Sequence, residues 1–242
     1  MPQYTERTYR KRISARDLCC FQVAVRETDL WVCADKNLEK ETRDLIVESR
    51  HQLEVYIKYH PEFLASLLPV AKDPYAPVIV KEMILATGKV DVGPMAAVAG
   101  AIAQWVGEGL LKLSDQVIVE NGGDIFLKAN RPLTVSIFAG ASPLSGRVGL
   151  LIPTRQMPLG VCSSSATIGH SLSQGVTDVV CILSSSAALA DGAATALGNR
   201  VQDKSGLEDV ATWADQIEGI LGGVVIVGDT MATWGDIELV DV

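Results

Sequence analysis

Val179-Val180-Cys181-Ile182-Leu183 and, after a short serine run, Ala190-Asp191-Gly192-Ala193-Ala194-Thr195-Ala196-Leu197 form the stretch on which the reading of this chain turns. The first part is a continuous apolar strand, and it leads directly into a small-residue helix. On that helix Asp191 and Thr195 lie one turn apart on one face, so two hard oxygen donors point the same way. Such a pair suits Mg2+. No other charge lies between Asp178 and Arg200, and a carboxylate in a segment suited to burial needs a cation or hydrogen-bond donors. The alternative is a capped helix, with Asp191 satisfying backbone N–H groups and Thr195 bonding its own i−4 carbonyl.

Around this stretch the pattern is that of an α+β protein with a mostly antiparallel central sheet packed by helices. Cys20 to Arg26 and Asp29 to Cys33 read as a hairpin, and Asn37 to Tyr59 as a long amphipathic helix with Asn37 or Asp35 as N-cap. A second helix is predicted over Val78–Thr87. A third opens at Pro94 and runs to about Leu113, with Ala96, Ala99, Gly100, Ala103 and Gly107 forming a small-residue stripe that permits close approach. Period-two segments follow at Val117–Val119, Ile125–Leu127, Leu133–Ala139 and Val148–Ile152. Leu207–Leu221 carries a helical pattern, and Val224–Val227, Asp229-Thr230-Met231 and Ile237–Val240 resemble a C-terminal hairpin. A single domain over 1–242 is expected, 1–77 supplying N-terminal strands and the long helix, 78–242 the core with the motifs.

The chain has 242 residues, 48% hydrophobic and 21% charged, with a net charge of −8. This balance supports a sizeable core and argues against general affinity for nucleic acid or an anionic membrane. The basic cluster Arg7, Arg10, Lys11, Arg12 and Arg16 reads as a charge-protected edge strand or a phosphate contact. Five cysteines without C-x-x-C pairing lead to an expectation of reduced thiols. The polar N-terminus shows no signal peptide, and a cytoplasmic location is expected. The longest uncharged run, Val92 to Gly107, is shorter than the ~20 residues of a membrane span, so no membrane partner is expected. The long helix and N-terminal strand offer a homodimer interface.

Three further polar clusters bear on chemistry. Asn121-Gly122-Gly123-Asp124 fits a tight hairpin, and Asp124 opens the next strand, where it can accept from a ribose or ring N–H. The run Cys162-Ser163-Ser164-Ser165-Ala166-Thr167-Ile168-Gly169-His170 reads as a loop whose hydroxyls and N–H groups wrap a phosphate, or simply as a loop. A serine nucleophile with His170 as base lacks the G-x-S-x-G context. Asp91 stands before Gly93-Pro94, either as an N-cap or orienting a substrate at a helix start.

Taken in order, Val90-Asp91-Val92-Gly93, Glu120-Asn121-Gly122-Gly123-Asp124-Ile125, Ser163-Ser164-Ser165 and Ala190 to Leu197 resemble the ApbE superfamily, the FAD:protein FMN transferases, of T-fold type. Gly169 to Gly175 is similar to the Gly-His-Ser-Leu-Ser-x-Gly stretch of a cytoplasmic ApbE-related family. The resemblance implies Mg2+ held by Asp191 and Thr195, polarising the pyrophosphate of FAD while FMN passes to a hydroxyl of an acceptor protein and AMP leaves. It further implies nucleotide contacts from Asp91, Asn121, Gly122, Gly123 and Asp124, phosphate contacts from Ser163, Ser164, Ser165 and Thr167, and a catalytic role for His170. The sequence departs from the family in two places. Gly93 is followed by Pro94-Met95-Ala96-Ala97, with no lysine, and the histidine stretch is shortened to His170-Ser171-Leu172-Ser173-Gln174-Gly175. These departures admit a second expectation, a flavin- or nucleotide-binding protein of ApbE-like fold that does no chemistry.

Overall fold

The computed structural model describes residues 17–165 and 175–242. The basic cluster from Arg7 to Arg16, and with it Thr167 and His170, lies outside them. The chain opens with the expected hairpin, β1 (Cys19–Val25) and β2 (Thr28–Ala34), closed by Arg26 and Glu27. Helix α1 (Glu39–Tyr59) then lays Thr42, Ile46, Ser49 and Leu53 inward, a stripe at three- and four-residue spacing. Asn37 Oδ1 accepts from the Glu39 N–H at 2.9 Å at its start. Asp35 is not a cap: its carboxylate accepts from the Asp115 and Gln116 N–H groups and from the Ser114 hydroxyl, pinning the end of β2 to the start of the next strand.

After α2 (Pro61–Ala65), α3 (Val78–Gly88) and a 3-10 turn over Pro94–Ala97, α4 (Val98–Leu110) leads into β3 (Val117–Asn121) and β4 (Asp124–Lys128). Then come β5 (Leu133–Ser136), β6 (Val148–Ile152), β7 (Leu159–Ser164), β8 (Val179–Ser184), α5 (Ala187–Arg200), α6 (Val210–Ala214), β9 (Ile220–Val227), β10 (Thr230–Gly235) and β11 (Glu238–Asp241). Eight strands form one antiparallel sheet in the order β1-β2-β3-β4-β7-β8-β9-β10, and β11-β6-β5 form a second. Alternation sorts the side chains. Val32, Val119, Phe126, Cys162, Val180 and Ile182 meet the helices, while Cys33, Ile118, Leu127, Val161, Cys181 and Leu183 meet the smaller sheet.

Four sequence expectations need correction. Ser163 and Ser164 end strand β7 rather than beginning a loop. Leu207–Leu221 is not one helix but a 3-10 turn, the short α6 and the start of β9. The C-terminal hairpin is β9 with β10; Ile237–Val240 instead supplies β11, paired with β6. Gly235, at φ 78°, turns the chain out of β10, and no left-handed residue would be needed if the strand simply continued. Finally, two of the five thiols are not free. Cys20 and Cys33 stand directly opposite one another across the hairpin and are joined as a disulfide.

Candidate functional site

The site is assembled where α4, α5 and the β3–β4 turn converge. Small residues make that convergence possible. A Cβ on Gly100 would stand 2.3 Å from the Ala187 carbonyl oxygen and 2.9 Å from Asp191 Cβ, so α4 and α5 cross in backbone contact there. Asn121 and Asp124 pair across the Gly122-Gly123 turn, whose φ values of 71° and 119° suit glycine.

Helix α5 is capped by its own Ser186, whose Oγ accepts from Leu189 N–H, while Gln104 Oε1 on α4 accepts from Ala187 N–H at 2.7 Å. Asp191 therefore does not cap its own helix. Instead Oδ2 accepts the Gly100 N–H at 2.9 Å, and the Ala99 N–H also favours the carboxylate. These are first-turn amides of α4, which has no side-chain cap of its own. Asp191 thus caps a neighbouring helix from across the crossing.

Asp124 comes to the same place from the sheet. It stands beside Cys162, accepts the Ser163 N–H at 3.3 Å and is influenced by Asp191. Both carboxyls are buried, at 7% and 9% exposure. Burial pushes Asp191 up to about 7 despite the Gly100 and Ala99 amides. Burial first, and then the charge of Asp191, hold Asp124 well above the usual carboxylate range. The Cys162 thiol, also raised by burial and then by Asp124, donates to the Ala187 carbonyl at 3.3 Å. Among the described residues neither carboxyl has an ion-pair partner. Two buried acids without a cation form an environment that a divalent ion would relieve.

Ser164 adds an independent sign of a missing partner. Only 6% exposed, its Oγ is buried without a hydrogen-bond partner among the described residues, on the helix-facing side of β7 with Cys162. Ser163 is differently used: its Oγ donates to the Gly123 carbonyl at 3.1 Å and fastens the turn to β7. Ser165 follows the strand. Thr195 is half-buried, one helical turn beyond Asp191. No three His, Cys, Asp or Glu side chains cluster as metal ligands among the described residues. The donors present therefore match a loosely held Mg2+, which takes one or two carboxylates and completes its shell with water and substrate phosphate, rather than a closed protein cage.

Asp91 is exposed and placed differently from the rest. With φ at 57° and the Val92 N–H returned to the Thr87 carbonyl at 3.3 Å, it terminates α3 rather than starting the next helix. It lines an open cleft of about 820 Å³ together with Val92, Asn199, Arg200 and Trp213. Asn121, expected beside a nucleotide, commits its amide to the Ala99 carbonyl at 3.0 Å. The sequence places Cys162 at the head of a serine run and Gln104 inside a helix, with no local sign that either reaches the site; only the pairing of β4 with β7 and the α4–α5 crossing reveal it.

The comparisons agree with this architecture. The chain is 43% identical over 212 residues to a UPF0280 protein of Methanocella arvoryzae, covering 87% of this chain and 86% of the relative. It is 38% identical over 222 residues to a UPF0280 protein of Methanocaldococcus jannaschii, covering 89% and 90%. Among solved structures, the flavin transferase ApbE from Vibrio cholerae superposes with a TM-score of 0.58 at 14% identity, over 90% of this chain and 96% of that one. The apo flavinyl transferase ApbE of Pseudomonas stutzeri gives 0.58 at 14%, over 90% and 94%. A profile of the family described as AbpE bacteria matches residues 10–221. The chain belongs to that family, and its α+β fold is ApbE-like.

Proposed function

We propose that the protein is a Mg2+-dependent transferase acting on FAD or a related nucleotide, cleaving a pyrophosphate and passing the flavin nucleotide to a hydroxyl acceptor. The observation that carries this reading is the buried pair Asp124 and Asp191, raised by burial and without a cation among the described residues. The ApbE-like fold, shared with proteins named as flavin transferases, supplies the substrate class.

Asp191 and Thr195 would hold the metal. Mg2+, when bound, supplies charge neutralisation and Lewis acidity at the pyrophosphate. Asp124, whose burial and whose neighbour Asp191 favour the neutral carboxyl over the charged one, would contact the nucleotide, and an arriving cation would favour its ionised form. Gly122 and Gly123 let the turn's backbone approach a ligand. Ser164 offers a hydroxyl with no partner among the described residues; in this proposal Ser163, Ser164, Ser165 and Thr167 bind phosphate and His170 has a catalytic role. Asp91 faces the neighbouring cleft, where it would orient the distal part of the substrate. In the transfer the acceptor oxygen forms a new bond to phosphorus, the pyrophosphate P–O bond breaks, AMP departs and the hydroxyl proton passes to a base. We place this activity in the cytoplasm, in a single domain over 1–242, with a protein acceptor and a homodimer as its partners.

A second reading has its own support. Where the resemblance calls for a lysine, Pro94–Ala97 form a 3-10 turn with Pro94 and Ala97 buried, and no cation stands there. This favours flavin or nucleotide binding without transfer. Incubation with FAD and Mg2+ separates the two: the transferase reading expects metal-dependent AMP release that Asp191→Ala abolishes in a protein that still folds. Absence of AMP at every metal concentration sinks it, and binding of FAD without AMP establishes the carrier.

A further inference from the structure

A continuous hydrogen-bond path joins the β3–β4 turn to Asp191. Asn121 donates through Nδ2 to the Ala99 carbonyl oxygen at 3.0 Å. That carbonyl belongs to the same peptide unit as the Gly100 N–H, which donates to Asp191 Oδ2 at 2.9 Å. A peptide carbonyl has two lone pairs, so a helical carbonyl can accept a side-chain donor in addition to its own helix bond. A donor at the oxygen of a peptide polarises its N–H and strengthens the bond made at the other end. The same donor fixes the plane of the peptide and therefore the direction in which the N–H points.

The turn has a second attachment to the site, because Asn121 pairs directly with Asp124 across Gly122-Gly123. One carboxylate thus sits on the hairpin itself, and the other is reached from it through an amide and a peptide. The Ser163 hydroxyl, donating to the Gly123 carbonyl, holds the turn against β7. We propose that Asn121 is a positioning residue: its side-chain amide locks the Ala99–Gly100 peptide, so that one hairpin sets the orientation of both Asp124 and Asp191. This rests on the reading of Asp191 as a cation ligand only for its consequence, not for its geometry. It also gives Asn121 work other than the nucleotide contact expected of it.

The test uses the full chain with Asn121→Ala, which removes the donor, and Asn121→Asp, which keeps the shape but turns an acceptor toward the carbonyl. The turn depends on Gly122 and Gly123, so neither change removes the residues that need positive φ. The first readout is the Gly100 backbone amide in a ¹H–¹⁵N spectrum without metal or flavin. Its proton is expected to move upfield and exchange faster in both variants. The second is calorimetric titration with magnesium alone, for which about a tenfold loss of affinity is expected, the usual scale for a group that orients a metal ligand. An unmoved Gly100 amide in both variants overturns the proposal. So does a moved amide with unchanged affinity in a protein that binds magnesium. If the unsubstituted chain binds no magnesium, the cation reading fails by itself, and the Gly100 amide still decides whether Asn121 sets that peptide.

Discussion

At the scale of single residues, Asp191 is a buried carboxylate bonded to a neighbouring helix rather than to its own. It was legible as a lone anion in an apolar helix, for which the sequence left two readings open, a cap and a cation ligand. It caps a helix, although α4 rather than its own, and it remains an acid whose burial outweighs the amides that favour its charge. The stability consequence has a definite sign. Between the ordinary value of 3.8 and about 7, the folded state holds a proton on Asp191 that the unfolded chain has released. The unfolded state then binds fewer protons, so metal-free stability falls as pH rises through that window and levels off above it. Asp124, raised in the same direction, adds to the fall. Urea unfolding at stepped pH should show a loss on the order of a few kcal/mol. Asp191→Asn should flatten much of the profile and leave the metal-free protein more stable at pH 8. A profile equally steep in the variant would remove Asp191 as its source.

At the scale of elements, the crossing of α4 on α5 places the site, and it was partly visible in advance. The stripe Ala96, Ala99, Gly100, Ala103 and Gly107 announces a close approach, but cannot say to what; at Gly100 the partners prove to be Ala187 and Asp191, many residues away in the chain, and at Gly107 the ring of Phe126 on β4. Gly100→Ala would drive a methyl group into the Ala187 carbonyl. A loss of about 2 kcal/mol or more is expected from overpacking against backbone that cannot move aside, read as a lower urea midpoint with an unchanged slope. A midpoint equal to that of the unsubstituted protein would mean that the helices separate freely. Strand β7 was missed for a different reason: Leu159–Ser164 contains glycine, cysteine and two serines, follows Pro158, and shows neither period-two alternation nor β-branched density. Its strand character comes from neighbours on both sides, β4 and β8. Likewise Ile237–Val240 has an ordinary strand pattern that carries no mark of which sheet it joins. Asn-Gly-Gly-Asp, by contrast, was fully legible as a turn, because its conformational requirement is local.

At the scale of the whole molecule, helices on one face of the large sheet and the smaller sheet on the other leave the carboxylate pair at a junction of sheet, α4 and α5. The fold tolerates two buried acids there because its core clusters on both faces are extensive. No helix among the described residues is long and apolar enough to cross a membrane. A ligand that binds only the assembled junction stabilises the entire fold by mass action, and at about 100 times its dissociation constant this amounts to about 2.7 kcal/mol. For a chain of this size the melting temperature should then rise by roughly 5–10 °C. Magnesium with FAD is expected to give that rise, and either alone a smaller one, because the metal completes its shell with substrate phosphate. The increment from magnesium must also grow with pH, since binding requires carboxylates that burial keeps protonated up to about 7 in Asp191. At pH 5 the cation competes with the proton on Asp191 and should add little; at pH 8 it meets ionised Asp191 and the full increment appears. Asp191→Asn should remove the magnesium increment at either pH while retaining part of the FAD effect. A melting series with equal magnesium increments at pH 5 and pH 8 would place the cation away from Asp124 and Asp191.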